Sequence, residues 1–177
     1  FARPGDIAEL YMPGAEGPLW WSHYEDTVRG RAATGILHRC QATNTCPKIF
    51  HVATALEVWE GRQSLGLTDP LGLRDVKDPD SVRTYIMAST QHGTAPYPLP
   101  TAPPFGNCQQ QGNPNPQMWT MSALLTGLAD WVKTNKAPPP SAVPRIADGS
   151  LVAPDRVEFP PIPENKYGNV PRPAVRA

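Results

Sequence analysis

Two short runs of β-favouring residues mark the hydrophobic pattern of the chain. The run from Val82 to Ala88 (VRTYIMA) lies between the turn-forming sequence DPDS and Gly93, and the run from Lys48 to Ala53 (KIFHVA) follows Pro47. Short apolar runs bounded by turn residues are typical of buried strands. The sequence therefore predicts two buried strands, each followed by a polar segment.

A third element, an amphipathic helix, is predicted after the proline- and glutamine-rich loop that contains Cys108. Asn115 is the expected N-cap and Pro116 the first helical residue. The sequence APPP ends the helix, because proline lacks the N–H group that the next turn needs. Apolar residues recur at spacings of three and four and are expected to form one face toward the core: Met118, Met121, Leu125, Leu128 and Val132.

Polar residues follow both predicted strands. His92 comes after the second strand, and Glu57 lies just past the end of the first. Because adjacent parallel strands end at the same edge of a sheet, we expect the imidazole and the carboxylate to come within hydrogen-bonding reach. A solvated loop residue is the alternative for His92. Between the strands, Asp69, Asp75 and Asp78 lie in a connection rich in Gly and Pro, where aspartates commonly form turns.

Composition removes several classes of function. The 16 basic and 16 acidic residues balance, so charge gives no argument for a nucleic-acid partner or an anionic membrane surface. No window is long and apolar enough for a membrane span. The start at Phe1 carries no signal-peptide pattern and is what we expect of a processed or partial polypeptide. Ten of the 23 prolines follow Lys136, which predicts an irregular C-terminal tail.

The cysteines favour a local disulfide. Cys40 and Cys46 enclose a short polar loop, whereas Cys108 stands alone. A zinc site would need two further ligands, and only His38 is close in sequence. A disulfide between Cys40 and Cys46 would place the protein outside the cytosol. Two free thiols in a reducing compartment are the alternative.

Tryptophans are the candidates for contact with a ligand. Trp20 and Trp21 are adjacent in an irregular N-terminal segment (residues 1–36), which we interpret as a segment packed over the core or as a lid. Adjacent residues of a strand point to opposite sides, so at least one of the pair is expected to cover a neighbouring element or line a cleft. Trp59, close to Glu57, is the third candidate.

The runs CPKIFHVATALEVWEGRQSLGLTDP, DSVRTYIMASTQH and NPNPQMWTMSALLTGLADWVKTNKAPPPSAVP occur in a fixed order. Over residues 37–152 they resemble the C-terminal part of an α/β-hydrolase, and more narrowly a poorly characterised family of large bacterial α/β-hydrolase-domain proteins. The resemblance implies an α/β fold with the last two core strands and the final helix in residues 37–136. A proline-rich tail (137–177) would wrap this core.

The resemblance also implies roles for single residues. Glu57 matches the place of the triad acid, with Asp69 as second choice, and His92 matches the triad base. It implies no cofactor and no metal. The nucleophile elbow G-x-S-x-G is absent from this sequence, although it precedes acid and base in α/β-hydrolases. We therefore expect a secreted or periplasmic hydrolase of small carboxylic esters whose serine lies on an N-terminal portion, the expected partner.

Two other interpretations stay open. The chain could be a non-catalytic binding or structural module that uses the tryptophan surface and the proline-rich tail. A metalloprotein built on His23, His38 and His51 is the weaker alternative, because no H-x-x-x-H spacing occurs.

Overall fold

The computed structural model describes residues 20–28, 30–59, 63–93, 113 and 115–158. Cys108, the side chain of Trp59, and the outer parts of the predicted N-terminal segment and tail lie outside the described residues. Short 3₁₀ turns occur at Gln63–Gly66 and Pro154–Arg156. The strands and α-helices of the described part are β1 (Tyr24–Asp26), β2 (Arg31–Thr34), α1 (His38–Ala42), β3 (Ile49–Thr54), α2 (Ala55–Trp59), β4 (Val82–Met87) and α3 (Met118–Thr134).

β3 and β4 are the two strands predicted from the hydrophobic pattern. The bounds of β3 differ from the prediction by one residue at each end, and those of β4 by one residue at the C-terminal end. They pair in parallel, with Ile49 opposite Val82 and Thr54 opposite Met87. Both strands thus end at the same edge, as expected. On the far side of β4, Ala142 forms a parallel bridge to Tyr85, so the beginning of the tail extends the sheet by one short contact.

Helix α3 covers one face of this sheet. Trp131, which is only 5% exposed, packs with a ring distance of 5.8 Å on Phe50, which in turn lies edge-on to Tyr85. Lys48 Nζ donates to the Trp131 carbonyl over 2.7 Å. The helix ends at Asn135, whose φ of 59° is the left-handed conformation that closes helix C-termini. The contact between α3 and the sheet therefore centres on Trp131.

The predicted inward stripe of α3 is wrong for the described part of the chain. Met118 is 64% exposed, Leu125 69% and Val132 60%, whereas Leu128 is half-buried. A three-and-four spacing identifies an apolar face but not the face that a neighbouring element covers. Here the broad Trp131 ring and the small Gly127, which faces Phe50, set the packing instead.

The predicted N-cap is also wrong. Helix α3 begins at Met118 after Gln117, and no side chain caps it. The side-chain amide of Asn115 instead donates to the Ser89 carbonyl, 3.3 Å away. Asparagine at a helix start can bind its own backbone or reach another segment, and in this fold the turn after β4 is within reach.

A β-hairpin lies in the N-terminal segment that was expected to be irregular. β1 and β2 pair in antiparallel fashion, and both are short. Trp20 packs behind them, 3% exposed, and its indole N–H donates to the Thr68 carbonyl over 2.7 Å. Gly35 is required beside it, because a Cβ there would lie 2.4 Å from the Ser22 carbonyl oxygen.

Two aspartates of the connection before β4 fasten the tail. The Asp75 carboxylate accepts the backbone N–H groups of Ile146 and Ala147 over 2.8 and 3.1 Å. One oxygen of Asp78 accepts from the hydroxyls of Thr84 and Ser141, at 2.8 and 3.3 Å. The tail therefore lies against β4 at residues 141 and 142 and against the preceding connection at residues 146 and 147.

Cys40 and Cys46 form the predicted disulfide, with their Cα atoms 4.7 Å apart. It closes the loop between α1 and β3. Among the described residues, no helix has the length and apolarity to cross a membrane.

Candidate active site

Glu57 is held at the strand edge by a helix cap. Thr54 ends β3, and Glu57 follows three residues later in α2. The backbone N–H of Thr54 donates to Glu57 Oε2 over 2.7 Å, and the Thr54 hydroxyl donates to the same oxygen. This carboxylate-to-backbone bond is half of a capping box, whose sequence signature is T-x-x-E. Because Oε2 is occupied by the cap, Oε1 is left for another partner.

That partner is His92, whose Nδ1 hydrogen-bonds to Glu57 Oε1. The Glu57 side chain is 27% exposed and the His92 side chain 79% exposed. Burial raises the pKa of Glu57, but the hydrogen bonds from His92 and Thr54 outweigh burial and lower the pKa to about 2. Glu57 is therefore an ionised acceptor at neutral pH.

The bond to Glu57 fixes the chemistry of the imidazole. When Nδ1–H donates to the carboxylate, Nε2 of the neutral ring carries a lone pair. No other described residue hydrogen-bonds to the His92 ring, and the ring is mostly exposed. Nε2 is thus available to take a proton from a group placed beside it.

The turn that carries His92 is tied down by amide side chains. Ser89, just past β4, has a φ of 54°, so the chain leaves the sheet in a sharp turn. Asn113 and Asn115 donate to the Ser89 carbonyl, and Gln117 donates to the Gln91 carbonyl. Sequence reasoning missed these contacts, although the amide-rich run before α3 is visible in the sequence.

Comparison with known proteins decides the family. A family model described as "Alpha/beta hydrolase domain" matches residues 9–170. The chain belongs to this α/β-hydrolase-domain family. No curated protein and no solved structure matches the chain. The predicted superfamily is therefore confirmed, and a hydrolase function follows in general terms.

Asp69, the second choice for the acid of this hydrolase chain, is bound within its own turn. It is 4% exposed, and its Oδ1 accepts the backbone N–H groups of Leu73 and Arg74 over 2.6 and 3.0 Å. Burial raises the pKa of Asp69, but these backbone bonds and the Arg74 guanidinium lower it below its ordinary value. The carboxylate that contacts His92 is that of Glu57, and Asp69 forms a turn.

The tryptophan candidates have separate environments. Trp20 lies in the core and bonds to Thr68, so the structure corrects its expected role as a substrate contact. Trp21 is half-buried, and its indole N–H donates to His51 Nδ1 over 3.3 Å. The side chain of Trp59 lies outside the described residues. Trp20 is thus enclosed by the protein, whereas contact of Trp21 and Trp59 with a ligand stays a prediction.

His51 of β3 is held in its neutral form. Its ring lies edge-on to Trp21, with centroids 5.5 Å apart, and Nε2 lies 2.6 Å from the side-chain amide of Gln63. Burial lowers the pKa of His51, and the Asp78 carboxylate opposes this only in part. A protonated ring could no longer accept the Trp21 N–H.

Acidification is therefore expected to destabilise the chain through His51. The pKa of His51 in the folded chain lies below the ordinary histidine value of 6.5, so the unfolded state binds more protons once the pH falls to about 6.5 or lower. This stabilisation is present above pH 6.5 and is lost as the pH falls toward the folded pKa. Urea unfolding at pH 7.5 and 5.5 measures the loss, and His51→Gln should make it smaller. An equal loss in His51→Gln would assign the pH dependence to other groups.

The histidines of the metalloprotein alternative do not converge on one point. His23 Nε2 and His38 Nδ1 are 2.7 Å apart, but His51 is bonded to Trp21 and to Gln63. Within residues 20–28, 30–59, 63–93, 113 and 115–158, no group of three or more His, Cys, Asp or Glu side chains is placed to hold a metal ion.

Proposed function

We propose that this chain supplies the acid and the base of a carboxylic ester hydrolase that works through a Ser-His-Glu triad. His92 is the general base, and Glu57 orients it. The observation that carries the proposal is the bond between His92 Nδ1 and Glu57 Oε1 at the common edge of two parallel strands. Open α/β sheets bind ligands at this edge.

The geometry suits acyl transfer. His92 Nε2 takes the hydroxyl proton as the serine oxygen attacks the ester carbonyl carbon. The ionised Glu57 stabilises the imidazolium that forms, and Thr54 keeps the carboxylate in place through the cap. The imidazolium then gives its proton to the leaving alkoxide, and an acyl-serine remains. In the second half, His92 takes a proton from water as the water oxygen attacks the acyl carbon. The imidazolium then returns this proton to the serine oxygen as the acyl–serine bond breaks, and the acid product leaves.

The nucleophile serine is proposed to lie on an N-terminal portion of the same hydrolase. No serine of this sequence has the G-x-S-x-G context. Two structural features support a sheet that continues beyond this chain. Among the described residues β3 pairs only with β4, so its outer edge can accept a further strand. The exposed stripe of α3 supplies an apolar surface for the same partner.

A location outside the cytosol belongs to the same proposal. The bond between Cys40 and Cys46 is of the kind that persists in oxidising compartments such as the periplasm. The substrate is proposed to be a small carboxylic ester, because a serine triad of this kind catalyses acyl transfer.

Assay of the assembled hydrolase tests the function. This chain is co-expressed with the portion that carries the serine elbow, and hydrolysis of p-nitrophenyl acetate is measured together with labelling by a fluorophosphonate. We expect hydrolysis and labelling of the elbow serine only when both portions are present. Absence of ester hydrolysis in a well-folded assembly would refute the proposal.

A further inference from the structure

A cavity of about 610 Å³ lies beside the strand ends, which is within the size range of small-molecule sites. Its lining is largely apolar and comes mainly from three parts of the chain, namely α2, the end of β4, and the tail between residues 142 and 157, with Ser64 of the first 3₁₀ turn beside them. An apolar cavity of this size favours an apolar ligand group, because each buried CH₂ leaves water. Its main lining residues are Ala55, Val58, Ile86, Val143, Leu151 and Val152.

Two walls of the cavity belong to the segments that carry Glu57 and His92. Val58, in the lining, directly follows Glu57 in α2, and Ser89, also in the lining, begins the turn that leads to His92. A group bound in the cavity therefore lies against the same strand edge as the acid–base pair.

The third wall is built by the tail and is held in position. Ala142 is bonded to β4 through the Thr84 carbonyl and the Ile86 N–H, each over 2.9 Å. Asp75 accepts from Ile146 and Ala147, and the Leu151 N–H donates to the Arg145 carbonyl over 2.9 Å. A fixed wall can select ligands by size, whereas a loose segment would adapt to each of them.

We propose that this cavity binds the apolar group of the ester substrate, and that the tail residues Val143 and Leu151 set the length of group accepted. The inference rests on the proposed function, since it places a substrate group beside Glu57 and His92. The substrates are then esters with an apolar chain or ring. Either the acyl group or the alcohol group of the ester can supply it.

Two series of esters, assayed with the assembled hydrolase, show whether the acyl group or the alcohol group enters the cavity. In one, p-nitrophenyl esters run from acetate to octanoate, and in the other, acetates carry alcohols of increasing length. In the series that enters the cavity, kcat/KM should rise about three- to fourfold per added CH₂ until the cavity is filled. Val143→Trp should abolish this rise. Val28→Trp, at a 59% exposed position between β1 and β2, is the matched control and should behave as wild type.

A binding measurement makes the inference independent of catalysis. Octanoate and butyrate are titrated calorimetrically into the His92→Ala assembly, with and without Val143→Trp. Octanoate should bind more tightly than butyrate, and Val143→Trp should remove the difference. Leu151→Ala, which enlarges the cavity, should move the preference to longer acids and serves if Val143→Trp folds poorly.

The two proposals fail in different ways. In one outcome, the assembly does not hydrolyse esters but binds octanoate, and Val143→Trp removes this binding. This outcome would refute the triad and would still show that the cavity is a site for apolar ligands. In the other outcome, hydrolysis is normal, but Val143→Trp and Leu151→Ala change neither the rates of the two ester series nor octanoate binding. This outcome would refute the cavity inference alone.

Discussion

Replacing His92 with alanine is expected to lower kcat of the assembled hydrolase by about 10⁴-fold or more, because the general base of both half-reactions is lost. Folding should be nearly unchanged, since the side chain is 79% exposed. Steady-state kinetics with p-nitrophenyl acetate, beside thermal unfolding of the same samples, measures both. His23→Ala is the control, because this exposed histidine bonds to His38 rather than to Glu57. Full esterase activity in His92→Ala would overturn the hydrolase proposal.

Replacing Glu57, the proposed triad acid, with glutamine should lower kcat less than His92→Ala does. In Glu57→Gln the amide oxygen can still accept from the Thr54 N–H, so the cap of α2 is kept. The amide N–H₂ then faces His92 Nδ1 and favours the tautomer with the proton on Nε2, which cannot act as a base. We expect a loss smaller than that of His92→Ala. Asp69→Asn should lower stability through its turn and leave kcat near wild type, and the opposite pattern would assign the acid to Asp69.

The second large effect concerns stability. Trp131→Ala should lower the free energy of unfolding of the chain by about 3–5 kcal/mol, because it removes the ring that joins α3 to Phe50. Trp119→Ala on the same helix is the matched control. It removes an equal side chain that is 74% exposed and should change the free energy by less than about 0.5 kcal/mol. Urea denaturation of this chain measures both. Equal losses would mean that α3 packs with a different face.

The strands and the meeting of Glu57 with His92 could be predicted from local pattern and simple geometry. An apolar run between turn residues specifies a strand, and parallel strands bring their C-terminal loops to one edge. The capping contact between Glu57 and Thr54 could also be predicted from the sequence, since T-x-x-E at a helix start is a local signature.

Other features depend on tertiary contacts that no local pattern encodes. The spacing of Met118, Leu125 and Val132 shows that a face of α3 is apolar, but the sheet covers the side of Trp131 instead. Asparagine is a residue type favoured at N-caps, which made Asn115 a reasonable prediction. Only the tertiary fold brings the Ser89 carbonyl within reach of its side chain. The β1–β2 hairpin is too short and too polar for its alternation to be distinguished from irregular chain.

A double-mutant cycle on kcat/KM of the assembled hydrolase tests the central claim that Glu57 acts through His92. The variants are Glu57→Gln, His92→Ala and the combination. If Glu57 works by orienting and stabilising the imidazole, Glu57→Gln is costly in the wild-type enzyme and nearly without effect once His92 is alanine. An equal loss from Glu57→Gln in both backgrounds would show two independent residues and contradict the acid–base pair.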